Sequence, residues 1–191
     1  VYNSRHPKEI KFIDNIDEDL ARRDFTMNAL AYSEKIGVID LYGGKTDIKN
    51  GIIRFVGDPN LRIEEDALRI MRAFRFISKL GFSLDKKTAE AIHEKRKFLN
   101  KISKERIFDE LSKILLGSYA KKALCEMKKL GILGFIIPEF KQMKTFKFGS
   151  FKEKNNLFSH IVDTVSFCQR DLITRLAALF HDLGKINTRV I

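Results

Sequence analysis

The chain has 191 residues, and its 36 lysines and arginines against 25 aspartates and glutamates give a formal net charge of +11. Apolar residues make up 44% and charged residues 32%, a globular composition that excludes a wholly disordered chain. No apolar run is long enough to span a membrane, and two cysteines are too few for a disulfide framework, so we expect a cytoplasmic protein. The positive charge favours an anionic partner such as nucleic acid, although a lysine-rich surface that only aids solubility has the same composition.

The first part of the chain predicts one helix followed by a small β element. The spacing of apolar residues over 19–34 places them on one helical face. The runs 36–42 and 52–57 are of β type, and the turn-rich segment between them predicts a hairpin-like pair. Because an isolated hairpin is marginally stable in water, this pair must pack on helices or join strands upstream of Val1.

From residue 58 onward the sequence predicts helices. Asp58-Pro59 is a helix start, and Gly81 ends the first helical run. The predicted helices cover 61–80, Asp85 to about Lys97, 103–116, 119–131, 158–169 and 172–184, and a polar, lysine-rich linker covers 141–156. The predicted fold class is therefore mostly α with a small β element (α+β).

The segment RRDFTMNALAY contains residues suited to holding phosphate. The guanidinium groups of Arg22 and Arg23 can each donate a fork of hydrogen bonds to phosphate oxygens. Asp24 could orient one of them, and Asn28 lies about one helical turn further on, over the same spot. The alternative is a solvated turn held by local salt bridges.

The predicted helix 61–80 carries a polar face with an unusual charge pattern. Opposite its apolar stripe lie Arg62, Glu65, Arg69 and Arg72. Asp66 and Arg69 are three residues apart and therefore surface neighbours, and Arg75 lies at the edge of the face. Such a carboxylate and guanidinium can read the amine and ring acceptor that cytosine and adenine share, and they disfavour uracil and guanine. A salt-bridged surface helix is the alternative.

Two histidines near the end of the chain have the pattern of metal ligands. His181-Asp182 closes one predicted helix, and His160 on the preceding helix could supply a second imidazole. Lys185 would then lie near an anionic substrate. The alternative is an ordinary helix end capped by Gly184.

Four segments in this order resemble the class II tRNA nucleotidyltransferase and bacterial poly(A) polymerase family, the CCA-adding enzymes: DLARRDFTMNALAY, GVIDLYGGKTDIKNGIIRFVG, RIEEDALRIMRAFRF and ISKERIFDEL. A fifth, NNLFSHIVDTV…FHDLGK, resembles the start of an HD domain. The resemblance implies addition of C and/or A from CTP and ATP to a tRNA 3′ end, with release of pyrophosphate. A poly(A) polymerase of the same family, an HD-type metal-dependent phosphohydrolase and a basic RNA-binding module are the alternatives.

The resemblance also implies roles for individual residues. It implies nucleotide binding by Arg23, Asp66, Arg69, Arg72 and Arg75, with support from Arg22, Asp24, Asn28, Glu65 and Arg106. The segment that links the catalytic and neck regions would include Asp40, Gly43, Gly44 and Asp47. The ligands of a divalent metal at the HD site, an incomplete set, would be His160, His181 and Asp182.

The catalytic element of that family is missing from this sequence. The family binds two Mg²⁺ ions on an Asp-x-Asp pair that follows a Gly-Gly-x-x-Arg-Asp loop, and neither element occurs here. Asp17-Glu18-Asp19 has the right letters but lies in a predicted helix start, where acidic residues are ordinary. We therefore expect the metal aspartates upstream of Val1, and we expect the chain to be an internal fragment that is inactive by itself.

The expected domain organisation follows the same resemblance. Residues 1–57 would be the end of a nucleotidyltransferase head, 58–116 a helical neck that recognises the base, 117–150 a helical body that binds RNA, and 151–191 the start of an HD domain. The residues expected to attract the RNA backbone are Lys95, Arg96, Lys97, Lys101, Lys104, Lys141, Lys144 and Lys147.

Overall fold

The computed structural model describes residues 15–143 and 157–185. Predictions for Lys144 and Lys147 and for most of the linker 141–156 lie outside these residues. The helices are α1 (Ile16–Ala21), α2 (Gly44–Asn50), α3 (Pro59–Glu65), α4 (Leu68–Leu80), α5 (Lys86–Lys95), α6 (Lys104–Leu116), α7 (Ala120–Lys129), α8 (Leu133–Ile136), α9 (Glu139–Gln142), α10 (Leu157–Phe167) and α11 (Leu172–Phe180). The strands are β1 (Leu30–Ser33), β2 (Gly37–Asp40), β3 (Ile52–Ile53) and β4 (Ser83–Leu84). The predicted fold class, mostly α with a small β element, is confirmed.

The prediction of one helix over 19–34 is wrong. Helix α1 ends at Ala21, a short 3₁₀ turn covers Thr26–Asn28, and β1 follows. The reason lies at Phe25, whose backbone is extended and bridges to Phe55, so that the two buried rings stack with centroids 5.0 Å apart. This long-range contact outweighs the local helical spacing.

The predicted pairing of 36–42 with 52–57 is also wrong. Strand β2 pairs with β1 as an antiparallel hairpin, and β3 pairs with β4 in parallel. The turn-rich segment between them instead forms α2, because Asp40 accepts the amide protons of Gly44 at 2.7 Å and Lys45 at 3.0 Å. Burial alone would raise the pKa of the Asp40 carboxyl, but these amide hydrogen bonds outweigh it and hold that pKa below its usual value.

The predicted helix 61–80 is divided into α3 and α4. Asp58 caps α3 as predicted, with its side chain accepting the Asn60 amide, and Gly81 ends α4 with a positive φ of 72°. Between them Asp66 takes an extended conformation, and its Oδ1 accepts the amide proton of Leu68 at 3.0 Å. This aspartate therefore interrupts one helix and helps to start the next, which an apolar periodicity does not reveal.

Helix α4 is the centre of the core. Its apolar stripe, which includes Ile70, Met71, Phe74 and Ile77, is fully buried, and the helix packs against α6 and α7. Gly117 allows the closest approach, since a Cβ there would lie 2.0 Å from Ser78 Oγ. Helices α5, α6, α7, α10 and α11 confirm their predictions to within a few residues at each end.

One buried arginine joins the end of α6 to the loop before α11. Arg175 is 3% exposed and donates to the backbone carbonyls of Leu115, Gly117, Gln169 and Cys168. Burial and the nearby charge of Arg170 lower the pKa of its guanidinium. Within the two described ranges, no helix combines the length and the apolar character needed to cross a membrane.

Candidate functional site

A cavity of about 590 Å³ opens where α4 meets the segment after α1 and the first turn of α6. We call it the arginine cavity, and its lining residues are Arg23, Asp24, Asn28, Asp66, Leu68, Arg69, Arg72 and Arg106. Four guanidinium groups face two carboxylates, so the cavity carries a net positive charge suited to a polyanion. Three segments that are distant in the sequence thus supply one site.

The base of the cavity is an ion pair between the buried Asp24 and the partly buried Arg72. Arg72 Nε donates to Asp24 Oδ2 at 2.7 Å, and its Nη2 contacts the same oxygen. The other oxygen, Oδ1, accepts the Asn28 amide group at 3.0 Å and the Phe25 backbone amide at 2.9 Å. Asp24 therefore orients Arg72, an arginine 48 residues away, where the sequence predicted an effect on a neighbouring arginine.

Arg22 and Arg23 share one carboxylate at the mouth of the cavity. Asp19 Oδ2 lies 2.9 Å from Arg23 Nη2, and Asp19 Oδ1 lies 2.6 Å from Arg22 Nη2. Hydrogen bonds from Arg23 and then from Arg22 hold the pKa of the Asp19 carboxyl below its usual value. Both oxygens of Asp19 therefore pair with arginines, so Asp17-Glu18-Asp19 does not form a pair of carboxylates that is available to a metal ion.

Glu65 connects the two arginines that clamp the chain after α1. Its Oε1 lies 2.5 Å from Arg62 Nη2, and its Oε2 lies 2.7 Å from Arg69 Nη1. Arg62 also donates to the Ala21 carbonyl at 2.8 Å, and Arg69 donates to the Arg22 carbonyl at 3.0 Å. Arg69 also donates to the Arg62 carbonyl, so these contacts use three of the N–H groups of Arg69. Two of its five N–H groups remain for a ligand.

Asp66 and Arg69 both line the cavity but form no ion pair with each other in the described structure. Asp66 Oδ2 instead faces Arg106 Nη2, which comes from α6 and lies 3.7 Å away. Arg106 was predicted only to support the neck helix, and the structure brings it to the cavity wall. The signal that would reveal this, packing of α6 along α4, is a tertiary one.

Arg75 lies apart from the residues that line the cavity. Its Nη1 donates to Glu110 Oε1 at 3.1 Å, and its guanidinium carbon lies 5.1 Å from the centroid of the Phe76 ring. Glu110 is 4% exposed, and Lys113 also contacts it at 2.9 Å. The structure thus places Arg75 in a contact between α4 and α6, and its predicted binding to nucleotide stays a prediction.

A second polar network, which the sequence did not reveal, holds the wall beneath the cavity. Arg54 contacts Asp47 at 3.0 Å and Asp85 at 2.6 Å, and Thr26 donates its hydroxyl proton to Asp47 at 2.6 Å. The hydrogen bond to Asp47 and the charges of both carboxylates raise the pKa of the Arg54 guanidinium. Gly44, where a Cβ would lie 2.2 Å from the Thr26 carbonyl oxygen, lets α2 approach this network. Asp47 and Gly44 therefore have structural roles here.

The three predicted metal ligands meet where the first turn of α10 lies beside the end of α11. We call His160, His181 and Asp182 the His–Asp cluster; one ligand atom from each lies within 4.8 Å of the others. The two Nε2 atoms are 3.2 Å apart, and Asp182 Oδ2 lies 3.5 Å from His160 Nε2 and 3.4 Å from His181 Nε2. Lys185 pairs with Asp182 at 2.8 Å.

The donor set of this cluster fits a divalent metal ion. His181 Nδ1 lies 2.8 Å from the Ala178 carbonyl, which fixes the proton on Nδ1 and leaves the Nε2 lone pair directed at the cluster. Two imidazoles and a carboxylate are ligands that transition metals accept, and open positions would remain. The buried Asp182, 4% exposed, supplies the negative charge.

Two family models match the chain, and each matched segment contributes residues to the lining of the arginine cavity. Residues 1–54 match the poly A polymerase head domain, and residues 81–144 match the probable RNA and SrmB-binding site of polymerase A. In these two segments the chain is therefore similar to the class II tRNA nucleotidyltransferase and poly(A) polymerase family.

Individual relatives and structures show the same similarity. The chain is 50% identical over 119 residues to the CCA-adding enzyme of Lactobacillus helveticus (strain DPC 4571), covering 62% of this chain and 30% of the relative. It is 45% identical over 140 residues to the CCA-adding enzyme of Anoxybacillus flavithermus (strain DSM 21510 / WK1), covering 73% and 35%. The structure of the Bacillus stearothermophilus CCA-adding enzyme in complex with CTP matches with a TM-score of 0.75 and 38% identity, over 91% of this chain and 41% of that one. The chain thus spans about a third of the length of these curated relatives.

Proposed function

We propose that this chain is the nucleotide-selecting part of an RNA nucleotidyltransferase that adds C and/or A from CTP and ATP to tRNA 3′ ends and releases pyrophosphate. The observation that carries the proposal is the arginine cavity, in which a cationic floor and a carboxylate lie within one space. The relatives named CCA-adding enzyme support it. A cytoplasmic location follows from the same substrates.

The phosphate side of the cavity would be formed by Arg23 and Arg72. Asp24 directs the guanidinium of Arg72, so this cation is positioned before the ligand arrives. Arg23 is held near Asn28, to whose carbonyl its Nη1 donates at 3.1 Å. A triphosphate would receive charged hydrogen bonds from both arginines without a large rearrangement.

The base side would be formed by Asp66 and Arg69. Asp66 Oδ1 is bound to the Leu68 amide, whereas Oδ2 lies 3.7 Å from Arg106, beyond hydrogen-bond length, and keeps its capacity to accept a proton from a ligand. Cytosine and adenine offer an amine to this oxygen and a ring acceptor to Arg69. Uracil and guanine would present a carbonyl to the carboxylate, an arrangement of two acceptors that costs free energy.

RNA would bind along the lysine-rich helical part of the chain. The proposed organisation is a head over 1–57, a neck over 58–116, a body over 117–150 and the start of an HD domain over 151–191. In the described part, Lys101 Nζ lies 4.2 Å from the Phe98 ring centroid, which places a cation beside an aromatic face near the surface. The same features serve a poly(A) polymerase of this family equally well, and the nucleotide incorporated distinguishes the two.

The test is the substitution Asp66→Asn in the full-length protein that contains this chain. The amide oxygen can still accept the Leu68 amide proton, so the amide NH₂ takes the place of Oδ2 and offers donors to a base. We expect the preference for CTP and ATP over UTP and GTP to fall about tenfold or more, because the variant donates to a carbonyl. Incorporation of each nucleotide into a tRNA transcript lacking its 3′ end measures this.

A matched control is Asp17→Asn, which removes an exposed carboxylate of α1 away from the residues that line the cavity. It should leave base preference unchanged. If Asp66→Asn discriminates among the four nucleotides as well as the wild type does, Asp66 does not read the base and the proposal fails at that residue.

The Mg²⁺ ions that such a transfer requires would be bound outside the described residues. In residues 15–143 and 157–185, Asp19 is occupied by Arg22 and Arg23, and the His–Asp cluster is the only group of convergent metal-type ligands. These residues do not fit a Mg²⁺ pair for phosphoryl transfer.

A second candidate function is a metal-dependent phosphohydrolase, which the geometry of the His–Asp cluster favours. A divalent ion held by His160, His181 and Asp182 would supply Lewis-acid activation at a phosphate ester. Lys185, paired with Asp182, would lie beside the anionic substrate. Elemental analysis after purification without chelator, and phosphatase assays with added Ni²⁺, Mn²⁺ or Mg²⁺, test this candidate. Absence of both metal and activity would leave the cluster with a structural role only.

A further inference from the structure

Among the described residues, Arg106 is the only basic side chain with a nitrogen within 4.0 Å of a carboxylate oxygen of Asp66. The neighbour expected from the sequence, Arg69, is turned away: it donates to Glu65 and to the carbonyls of Arg22 and Arg62. The charged neighbour of the Asp66 carboxylate is therefore Arg106, which lies in α6.

We propose that Arg106 is a positioning residue that sets the base specificity of the arginine cavity by holding the free oxygen of Asp66 toward the ligand. This inference rests on the proposed function of Asp66. Arg106 lies on the cavity wall in the first turn of α6, a helix fixed by its Ser103 cap and by packing along α4.

The distance between the Arg106 guanidinium and the Asp66 carboxylate allows Arg106 to orient the carboxylate without using its lone pairs for a hydrogen bond. At 3.7 Å the Arg106 guanidinium attracts Asp66 Oδ2 but does not form a hydrogen bond with it. Since the other oxygen is fixed by the Leu68 amide, the carboxylate has two constraints, one at each oxygen. The lone pairs of Oδ2 that point into the cavity stay available to the exocyclic amine of cytosine or adenine.

The exposure of the two side chains sets the size of the effect of Arg106 on Asp66. Both side chains are partly exposed, 49% for Arg106 and 39% for Asp66, so the effect is moderated by solvent and is expected to change specificity more than total affinity.

The test is a double-mutant cycle in the full-length protein that contains this chain, with binding of CTP, ATP, UTP, GTP and inorganic tripolyphosphate measured by calorimetry. The variants are Arg106→Gln, Asp66→Asn and the double variant. We expect Arg106→Gln to lower the ratio of CTP to UTP affinity about two- to fivefold, the range for loss of one exposed ion pair. Arg106→Lys should restore much of the ratio because it restores the charge.

If Arg106 acts through Asp66, the double variant should show the same base preference as Asp66→Asn alone. Lys86→Gln is the matched control for loss of one positive charge, since Lys86 lies on α5 with a side chain that is 90% exposed and is not among the residues that line the arginine cavity. It should leave the ratio unchanged. The midpoint of thermal unfolding of each variant separates a change in specificity from a change in folding.

The outcomes separate the two proposals. A wild-type chain that binds all four nucleotides equally overturns the proposed base reading, and the role of Arg106 with it. A wild-type chain that prefers CTP and ATP, with Arg106→Gln unchanged or with additive losses in the double variant, overturns the role of Arg106 alone. A fall in tripolyphosphate affinity as large as the fall in CTP affinity would also overturn it, since that would make Arg106 a phosphate ligand.

Discussion

The arginine cavity and the His–Asp cluster differ in whether their charged groups are neutralised by partners within the protein. In the cavity the ligand-facing cations are already paired by the protein: Asp24 contacts Arg72, Asp19 contacts Arg23, and Glu65 contacts Arg69. In the cluster three groups that can bind a cation converge on one another, with the two Nε2 atoms 3.2 Å apart. The first site is assembled by ion pairs within the protein, whereas the second has the composition of a site that an added cation would stabilise.

Because of this difference, we expect substitutions in the two sites to affect different properties of the protein. Removing a carboxylate from the cavity leaves a partly buried guanidinium without its counter-charge, which is costly to the fold. Removing an imidazole from the cluster takes away one metal ligand and mainly affects the binding of a metal. Stability measurements and metal titrations therefore distinguish the two regions.

The largest expected effect is that of Asp24→Asn. Asp24 is 8% exposed and accepts hydrogen bonds from Arg72, Asn28 and the Phe25 amide. Because the variant leaves Arg72 without a counter-charge, we expect the free energy of unfolding to fall by about 3 kcal/mol, as for a broken buried pair. Urea denaturation measures it, and the exposed Asp17→Asn should change it little. A loss well under 1 kcal/mol would mean that the cavity is not held together by its ion pairs.

The second prediction concerns metal at the His–Asp cluster. A divalent ion present at about 100 times its Kd should raise the free energy of unfolding by about 2.7 kcal/mol through linkage. His160→Gln should abolish this increase, and Arg72→Gln, in the arginine cavity, should leave it intact. Thermal unfolding with Mn²⁺, Ni²⁺ or Zn²⁺ measures the increase. An equal metal effect in the wild type and in His160→Gln would place the ion elsewhere.

The smallest expected effect is that of Asp19→Asn. Asp19 competes with an anionic ligand for Arg23, so the variant should bind inorganic tripolyphosphate about two- to threefold more tightly at pH 7, the range for an exposed pair. Calorimetry measures this, and Asp17→Asn, which removes the same charge from the same helix, is the control. Equal gains in both variants would indicate a general effect of charge.

The pH dependence of that ion pair follows from the lowered pKa of Asp19. Since Arg23 and then Arg22 hold the pKa of this carboxyl below 3.8, the pair stabilises the folded state above that pH and is lost as the pH falls through the lowered pKa. The wild type should therefore be more stable than Asp19→Asn near pH 7, and the difference should disappear in acid. A difference that stays constant down to pH 2 would assign the stabilisation to another contact.

The sequence predicted those parts of the fold that depend on local signals. Apolar spacing predicted α4, α6, α7, α10 and α11, and the caps at Asp58 and Asp85 were predicted from their residue types. It failed before residue 58, where Phe25 and Phe55 stack across 30 residues of chain and extend a segment that has helical spacing. Local propensity is small beside such a contact, so the early strands and α2 could not be derived from periodicity.

The sequence predicted which residues belong to the candidate site, but it did not predict which of them contact one another. The family resemblance implied that residues of both motifs bind one nucleotide, and the cavity does contain Arg23, Asp24, Asp66, Arg69 and Arg72. The partners differ: Asp66 faces Arg106 and not Arg69, because the helix is interrupted at Asp66 and the i,i+3 relation holds only within a continuous helix. The contribution of α6 depends on how the helices pack, which spacing within one helix cannot give.

The two walls of the arginine cavity are joined through main-chain contacts that involve no ligand. The Thr26 amide donates to the Arg54 carbonyl at 2.9 Å, and the Val56 amide donates to the Asp24 carbonyl at 3.1 Å, so the segment that carries Arg23 is fastened to the segment that leads into α3. A cavity built in this way already has its shape when the proposed nucleotide ligand binds. Its association rate should then be governed by diffusion and electrostatic steering, and its heat-capacity change on binding should reflect only the surface that the nucleotide covers.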